Sequence, residues 1–415
     1  MKPNLVIGGG IVGLYTAYYL LQQGEEVEIL DQGEMEVNCS TGNAGMIVPS
    51  HIVPLASPGM IAKGFSWMLS SKSPFYIQPR LDRRLVDWCM LFYRHSTLQH
   101  VKKSIPSLKA LSLLSRQLYV DFVAEHGDNG IQLQEKGLLM LYQTKEGEKE
   151  EREFSHLARA NGLQVEVLGS EDIQRLEPNV EVRARGGIYF PEDAHLSPAD
   201  LHRYLKGYLI KRGVKIHTNR AVRGFDKQGD MVTAVQTDKG SIPCGQLMIC
   251  AGAWSGDLAK MLGFRLPMMG GKGYSFELPN QPQLQQASIL TEARVSQSPY
   301  GPKVRFGGTM EISNQPQKIN LNRVQGIFDA ISRYYPDFRA EFPADQQIWS
   351  GLRPCSPDGL PYIGKSPRWT NVCFGTGHSM MGLSLAPATG KLLAQIAHHQ
   401  SPSCPLEGFV VDRFC

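Results

Sequence analysis

The N-terminal segment combines short apolar runs with a helical pattern. Residues 5–7 form an apolar run as long as a buried parallel strand, and Leu14, Ala17 and Leu21 then recur at helical spacing. Residues 27–30 form a second apolar run. This order of apolar and polar positions predicts a β-α-β unit with two parallel strands joined by a helix.

From about residue 50 to residue 177 the pattern changes to long runs rich in Leu, Met and aromatic residues, with helical character. We interpret this stretch as an inserted domain or cap, because it lacks the β-α-β rhythm of the N-terminal segment. The aromatic and Met side chains of residues 65–92 are expected to be core. The alternative is an apolar face that contacts lipid or a protein partner.

Further along the chain, strand and helix patterns return. Ser197 and Pro198 are typical of a helix start, and that helix is expected to end at Gly213. A hairpin is predicted around Gly229, and residues 247–255 have the pattern of a strand, a Gly turn and a new helix start. We interpret this last unit as the chain returning to the domain that it began.

Residues 266–309 have β character, with runs at 274–278, 288–291 and 304–307 separated by Pro and Gly. These runs predict an antiparallel sheet in the second domain, followed by an amphipathic helix over residues 322–335. The whole pattern predicts an α/β fold in which a discontinuous Rossmann-like domain is interleaved with an α+β domain.

Three glycines, Gly8, Gly10 and Gly13, follow the first strand with G-x-G-x-x-G spacing, and the second strand closes with Asp31. Gly8 permits a tight turn, Gly10 allows a pyrophosphate to approach the backbone, and Gly13 allows close packing of helix and strand. The positive helix N-terminus would bind the pyrophosphate, and Asp31 would accept hydrogen bonds from ribose hydroxyls. Strand, helix, second strand and acid in this order predict a dinucleotide site; the alternative is a Gly-rich turn without a ligand. An acid at this position disfavours NADP.

Composition excludes several classes of protein. The net charge of +4 is small for 415 residues, and no block of Lys and Arg indicates a nucleic-acid surface. The eight cysteines form no C-x-x-C pair and the histidines lack metal-ligand spacing, so no metal is expected. The dinucleotide strand starts too early to follow a signal peptide, and no apolar stretch is as long as a membrane span. We expect a cytoplasmic protein, or one peripherally attached to the inner face of the membrane.

Five ordered motifs resemble the FAD-dependent D-amino-acid oxidase superfamily, which includes glycine and sarcosine oxidases. They are the N-terminal glycine motif and residues 40–46, 249–255, 351–364 and 375–382. Other stretches resemble bacterial D-amino-acid dehydrogenases, including the enzymes that oxidise D-proline or hydroxy-D-proline; they are residues 43–60, 291–295 and 306–312. The resemblance covers nearly the whole chain.

The resemblance implies an FAD-binding domain interleaved with a substrate domain whose sheet covers the flavin. The FAD-binding domain is expected over residues 1–50, 191–263 and 341–415, and the substrate-binding domain over residues 51–190 and 264–340. No cysteine aligns with the cysteine that links the flavin in sarcosine oxidases. We therefore expect non-covalent FAD.

The resemblance also implies roles for individual residues. Arg353 matches the arginine that pairs with the substrate carboxylate in glycine oxidase-like enzymes; the alternative is a structural ion pair. His378 and His51 are further candidate catalytic residues, which could face flavin or substrate, and the alternative for His378 is a structural hydrogen bond. The residues expected to bind the cofactor are Gly8, Gly10, Ile11, Val12, Gly13, Asp31, Asn43, Ala44, Gly45, Met46, Val222, Ala251, Gly252, Trp254, Gly377, Met380, Met381 and Gly382.

Two positions depart from the family pattern. Met380 and Met381 stand where glycine and sarcosine oxidases carry a second basic residue, so the partner of Arg353 in carboxylate binding is not identified. Arg305 falls near the lysine that sarcosine oxidases hold over the flavin, which leaves reactivity with O₂ open.

The reaction implied by the resemblance is oxidative deamination of an amino or imino acid by hydride transfer from Cα to FAD N5. Arg353 would hold the carboxylate in a two-bond fork. No second dinucleotide motif indicates NAD, so the electrons would pass to a quinone or carrier protein. The alternatives are an amine oxidase of the glycine or sarcosine type that uses O₂ and produces peroxide, and a flavoprotein without enzymatic activity.

Overall fold

The computed structural model describes residues 2–68, 70–313 and 318–414, apart from the side chain of Phe65. The helices of these residues are α1 (Ile11–Gln22), α2 (Met60–Met68), α3 (Arg83–His95), α4 (Leu98–His126), α5 (Lys145–Ala160), α6 (Ser170–Leu176), α7 (Pro198–Lys211), α8 (Ser255–Met261), α9 (Leu321–Tyr334) and α10 (Ala386–Ala397). The strands are β1 (Asn4–Ile7), β2 (Val27–Leu30), β3 (Met46–Ile47), β4 (Phe75–Ile77), β5 (Leu138–Tyr142), β6 (Glu166–Gly169), β7 (Gly186–Phe190), β8 (Ala194–His195), β9 (Lys215–His217), β10 (Val222–Gln228), β11 (Met231–Thr237), β12 (Gly240–Pro243), β13 (Leu247–Ile249), β14 (Met269–Pro279), β15 (Ala287–Leu290), β16 (Val295–Tyr300), β17 (Lys303–Ile312), β18 (Trp349–Cys355), β19 (Tyr362–Lys365) and β20 (Val372–Thr376).

The first sheet, sheet A, contains the N-terminal β-α-β unit. Its strand order is β19-β20-β13-β1-β2-β9, and all neighbours are parallel except β19 and β20. The apolar faces of α1, α4, α7 and α10 pack in one core together with residues of this sheet. The carboxyl ends of β1, β2 and β13 therefore meet at one edge, which is where ligands of open α/β sheets bind.

The second sheet, sheet B, is mainly antiparallel and has the order β18-β14-β17-β16-β15-β5-β7-β6, with β4 added beside β17. Helix α9 packs against it through an apolar core that includes Phe276, Phe306 and Ile327. In the register of β14 and β18, Gly271 lies opposite Arg353. This pairing fixes the strand from which Arg353 projects.

The structure confirms the predicted α/β fold class and several of its elements. Helix α7 starts after Ser197, although the Ser197 hydroxyl donates to Asp200 rather than accepting from the helix backbone. The predicted hairpin is β10–β11, with Gln228 opposite Met231. The antiparallel sheet is also confirmed, but β14 and β17 are longer than predicted, and β16 was not predicted at all.

The division into two domains stays a prediction. The strands of sheet A come from segments predicted to bind FAD, whereas β18 lies in the predicted FAD segment 341–415 and pairs with β14 in sheet B. Its glycine and proline residues obscured the strand pattern. Across the residues described, no helix combines the length and the apolar character needed to span a membrane.

Candidate active site

A cavity of about 1280 Å³ lies between the carboxyl edge of sheet A and one face of sheet B. Most of the residues predicted for the site line it. They are Gly8, Gly10, Ile11, Val12, Asp31, Asn43, Ala44, Met46, His51, Val222, Ala251, Gly252, Trp254, Arg353, His378, Met380, Met381 and Gly382.

Three predicted cofactor residues, Gly13, Gly45 and Gly377, do not line the cavity, although residues next to them in sequence do. A Cβ on Gly13 would lie 1.8 Å from the Gly8 carbonyl oxygen, so this glycine allows α1 to pack against the turn after β1. Gly45 and Gly377 both have positive φ, +81° and +78°, and leave no room for a side chain. Their contribution is to the shape of the wall.

The end of the cavity near Asp31 has the features of a nucleotide site. Gly8 has φ +109°, which turns the chain sharply into α1. The Asp31 carboxylate accepts hydrogen bonds from the backbone N–H groups of Gly9 and Gly33, both at 2.7 Å. Asp31 is thereby fixed beside the glycine turn, with the N-terminus of α1 next to it.

The sequence prediction missed Ser40 as a site residue, although Ser40 opens the small-residue loop 40–46. Its hydroxyl accepts the Ile11 N–H at 2.9 Å, and its own N–H donates to Asn38 Oδ1 at 2.8 Å. Ser40 also lines the cavity. The loop thus reaches the N-terminus of α1 and joins the two ends of the site.

The Arg305 side chain anchors this loop to sheet B. Its Nη1 donates to the carbonyls of Thr41 at 2.9 Å and Asn43 at 2.6 Å, and its Nη2 donates to Glu277 Oε1 at 2.7 Å. Arg305 is buried and is not among the residues that line the cavity. The Arg305 guanidinium is thus bonded to the loop and to Glu277, and its alignment near the flavin lysine of sarcosine oxidases stays a prediction.

Arg353 projects from β18 into the cavity. Its Nη1 donates to the Thr309 carbonyl and its Nη2 to the Gly308 carbonyl at 3.4 Å. A Cβ on Gly273 would lie 2.1 Å from Nη1, so the glycine makes room for the guanidinium. Within the described part of the chain, Arg353 forms no ion pair. The alternative of a structural ion pair is therefore not supported by these residues.

The charge of Arg353 persists despite its burial. Burial lowers the pKa of Arg353 from its ordinary value, with smaller opposing effects from Cys355 and Cys39. A guanidinium remains protonated in proteins even so. The cavity therefore contains a desolvated cation whose remaining N–H groups suit a small anion, and a carboxylate matches this fork geometry.

The two candidate histidines are neutral. Burial lowers the pKa of His378 to about 3, and His378 Nε2 lies 2.9 Å from the Thr389 hydroxyl of α10. Burial, and to a smaller extent Arg294, lower the pKa of His51 to about 4. Neither ring can serve as the second cation for a carboxylate near neutral pH.

An apolar wall formed by α2, β4 and α3 closes one side of the cavity. Trp67, Phe75, Trp88 and Phe92 contribute to it. Trp88 is buried in an apolar core cluster and Phe75 and Phe92 pack against it, so the expectation of core is confirmed for these three side chains, which also line the cavity. Leu69 and the Phe65 side chain lie outside the described residues. No local pattern distinguishes a cavity wall from a core, because both require apolar side chains.

Metal ligation is not suggested at any described position: no group of three or more His, Cys, Asp or Glu side chains could hold an ion. The cavity instead has a glycine turn, a helix N-terminus and a fixed acid at one end and an arginine on sheet B. These groups fit an elongated dinucleotide such as FAD, with a small anionic molecule beside Arg353.

A family model described as FAD dependent oxidoreductase (DAO) matches residues 5–396. The chain belongs to this family. Its cofactor is accordingly FAD, and it is an oxidoreductase. The glycine turn, Asp31 and the loop after Ser40 lie within the matched region, which agrees with the fit of these residues to a dinucleotide.

Similar proteins cover almost the whole chain. A D-amino acid dehydrogenase from Granulibacter bethesdensis is 28% identical over 424 residues, with 99% of each chain covered. One from Bradyrhizobium diazoefficiens is 29% identical over 426 residues, covering 99% of this chain and 98% of the relative. Among solved structures, glycine oxidase from Geobacillus kaustophilus has a TM-score of 0.79 at 23% identity and covers 99% of this chain and 98% of its own. L-Amino acid deaminase from Proteus myxofaciens has a TM-score of 0.76 at 16% identity, and the match covers 100% of this chain and 94% of the deaminase. The structural matches show a shared fold.

Proposed function

We propose that this FAD-dependent oxidoreductase oxidises the Cα–N bond of an amino or imino acid whose carboxylate binds Arg353. The supporting observation is the partly buried guanidinium at the cavity wall, which has no acidic partner among the described residues, since desolvating a cation without a counterion is costly unless a ligand supplies one. The bound FAD supplies the hydride acceptor for this chemistry. We assign the lining residues from the glycine turn to Asp31, together with Val222 and residues 251–254, to FAD.

The chain's own residues position the substrate. Arg353 is held in place by the carbonyls of Thr309 and Gly308, so its free N–H groups have a fixed direction before substrate arrives. Such preorganisation contributes to the rate by fixing the reacting carbon. Because the His51 and His378 rings are neutral, neither of them shares the carboxylate's charge with Arg353.

The proposed substrate class is a D-amino acid with an apolar side chain, including D-proline or hydroxy-D-proline. The relatives named D-amino acid dehydrogenase support the D configuration. The apolar wall of Trp67, Phe75, Trp88 and Phe92 supports an apolar side chain, because a charged one would be desolvated there.

Anaerobic mixing with D- and L-amino acids, proline and hydroxyproline tests the proposal. We expect the flavin absorption to bleach with an apolar D-amino or D-imino acid and not with its L enantiomer. Bleaching by none of these compounds would overturn the proposed function. Denaturation of the protein should release all of the flavin; flavin that stays attached would contradict non-covalent binding.

We further propose that the electrons pass to a quinone or carrier protein rather than to O₂. Supporting this, Arg305 does not line the cavity, and its guanidinium is bonded to the loop and to Glu277. Turnover should be faster with a short-chain quinone than with air alone. Stoichiometric peroxide at an equal rate would instead identify an oxidase.

For the location of the protein, we propose the cytoplasm, with peripheral contact to the inner face of the membrane. An exposed patch is formed by Leu81, which precedes α3, and by Val86, Met90 and Tyr93 of α3, while Trp88 and Phe92 on the same helix line the cavity. The nearby Arg83 and Arg94 form no ion pair with any residue that the structure describes. Exposed apolar side chains beside free basic groups favour an anionic bilayer.

Sedimentation with vesicles tests this contact. We expect binding to vesicles that contain anionic lipid, weaker binding to zwitterionic vesicles, and loss of binding in a Val86→Ser, Met90→Ser double variant. The matched control is Met231→Ser, which changes another exposed methionine on β11. Absence of vesicle binding, or self-association through the patch, would contradict the proposal.

A further inference from the structure

His51 lies on the cavity wall and is linked to a buried carboxylate through one hydroxyl. His51 Nδ1 lies 3.1 Å from Ser50 Oγ, and Ser50 Oγ donates to Asp193 Oδ2 at 2.5 Å. The Ser50 N–H donates to the other carboxylate oxygen, Oδ1, at 3.0 Å. Both Ser50 and Asp193 are almost fully buried. The three residues therefore form a chain that starts at the cavity and ends in the core.

Counting protons along this chain gives the tautomer of His51. The Ser50 hydroxyl has one proton, and when Asp193 is ionised that proton is donated to the carboxylate. Ser50 Oγ can then only accept from His51, so Nδ1 carries the ring proton and Nε2 has the lone pair. His51 Nε2 has no hydrogen-bond partner among the described residues, and the ring lines the cavity.

Protonation of Asp193 reverses the chain. A protonated carboxyl can donate to Ser50 Oγ, the hydroxyl then donates to His51 Nδ1, and the ring proton moves to Nε2. Burial raises the pKa of Asp193 to about 7, so both forms occur near neutral pH. His51 itself stays neutral, since burial and Arg294 lower its pKa to about 4.

Few other charges act on this chain of residues. Glu192 raises the pKa of Asp193, and Arg116 on α4 lowers it, but the Arg116 guanidinium is bonded to Glu135 and the Glu192 carbonyl. Near His51 the charged group is Arg294, which is exposed and lies over the Trp67 ring. None of these forms an ion pair with Asp193.

We propose that Asp193 and Ser50 are positioning residues that set the tautomer of His51, so that His51 Nε2 accepts a hydrogen bond from the substrate amine. This inference rests on the proposed function. His51 acts as a fixed acceptor rather than as a base, because burial lowers the pKa of its ring to about 4 and a substrate ammonium group, whose pKa is far higher, would not transfer its proton to so weak a base. Accepting an N–H orients the nitrogen lone pair of the neutral amine.

Asp193→Asn is a sharp test, because it holds the chain in the reversed form without changing its shape. The Ser50 N–H requires an acceptor, so the amide oxygen takes the Oδ1 position and the amide NH₂ donates to Ser50 Oγ. The hydroxyl must then donate to His51 Nδ1, which places a proton on Nε2. We expect kcat/KM to fall at least 10-fold and its inflection near pH 7 to disappear, with FAD content unchanged.

Two further variants separate positioning from structural damage. Ser50→Ala should also remove the inflection, whereas Ser50→Thr retains a hydroxyl and should restore it. Glu151→Gln is the matched control: Glu151 is buried with its pKa raised to about 7, but it does not line the cavity. This control should keep the wild-type pH profile.

A direct readout does not depend on activity. Nitrogen chemical shifts of ¹⁵N-histidine-labelled protein, assigned by the signal lost in His51→Gln, report which ring nitrogen is protonated. We expect Nδ1–H at pH 8 and Nε2–H in Asp193→Asn. Nε2–H in the wild type at pH 8, or turnover of an amino acid by Asp193→Asn with a wild-type pH profile, would overturn the inference. Failure of every amino acid to bleach the flavin would instead refute the proposed function, while the tautomer is still measured.

Discussion

Replacing Arg353 by methionine should separate substrate binding from stability. Methionine retains a long apolar side chain but lacks the guanidinium, whose free N–H groups face the cavity. Truncating one partner of a buried charge pair costs about 2–5 kcal/mol. Since a tenfold change in rate corresponds to about 1.4 kcal/mol, kcat/KM should fall by roughly 30-fold to 5000-fold.

The same change should not destabilise the ligand-free protein. Arg353 has no acidic partner within the described residues, so its removal leaves no carboxylate buried alone. Only the carbonyls of Thr309 and Gly308 lose donors. We expect an unchanged or higher free energy of unfolding together with a large loss of activity, a combination typical of a functional group held in an unfavourable environment.

Anaerobic stopped-flow reduction of the flavin measures kcat/KM, and urea denaturation measures stability. Arg353→Lys keeps the charge but not the fork, so its activity should lie between those of the wild type and Arg353→Met. Arg175→Met is the control, because Arg175 is an exposed arginine on α6. Wild-type kcat/KM in Arg353→Met, or a loss of about 3–5 kcal/mol in stability, would refute the assignment and indicate a structural cation.

Three further predictions concern groups around the cavity. Gly273→Ala would place a Cβ 2.1 Å from Arg353 Nη1, so KM should rise while the FAD content stays the same. The control is Gly207→Ala, where no atom lies within 4 Å of the added Cβ. It should leave the kinetic constants unchanged and should leave the melting temperature unchanged or raise it. Gly13→Ala would place a Cβ 1.8 Å from the Gly8 carbonyl oxygen, and the purified protein should contain less FAD by absorbance and melt earlier. His378 is neutral in the folded protein, where its pKa is about 3, against about 6.5 in the unfolded chain. Below pH 6.5 the unfolded state therefore binds more protons, and the free energy of unfolding decreases as the pH is lowered. This histidine should account for a loss of about 2 kcal/mol between pH 7 and pH 5, and His378→Gln should remove that loss in urea titrations.

The parts of the site that could be predicted from sequence are those encoded by neighbouring residues. The glycines after β1 and the acid after β2 belong to one β-α-β unit, so the sequence spacing between them is enough to predict that they lie together. Arg353 was predicted from family resemblance and not from its surroundings. Its strand was not recognised as part of sheet B, because β18 contains glycine and proline and pairs with a strand far away in sequence.

The parts that could not be predicted depend on contacts between distant segments. Ser50 and Asp193 are 143 positions apart, and neither has a local motif. The partners of Arg305 could not be predicted for the same reason, since its acceptors lie in the loop 40–46 and on β14 rather than near it in sequence. Residues of α2 and α3 that line the cavity have the same apolar pattern as core residues.

The partners of a buried cation indicate whether its role is structural. Lys272 lies 3.2 Å from Glu311, Arg305 lies 2.7 Å from Glu277, and Arg413 lies 2.7 Å from Asp358. In each pair the protein itself supplies the countercharge, so the pair holds two segments together. Arg323 is held differently: its Nη1 donates to two backbone carbonyls and to the Ser73 hydroxyl, away from the cavity. Arg353 combines partial burial, an open cavity and no acidic partner at any described position, which is why we propose that a bound molecule supplies its countercharge.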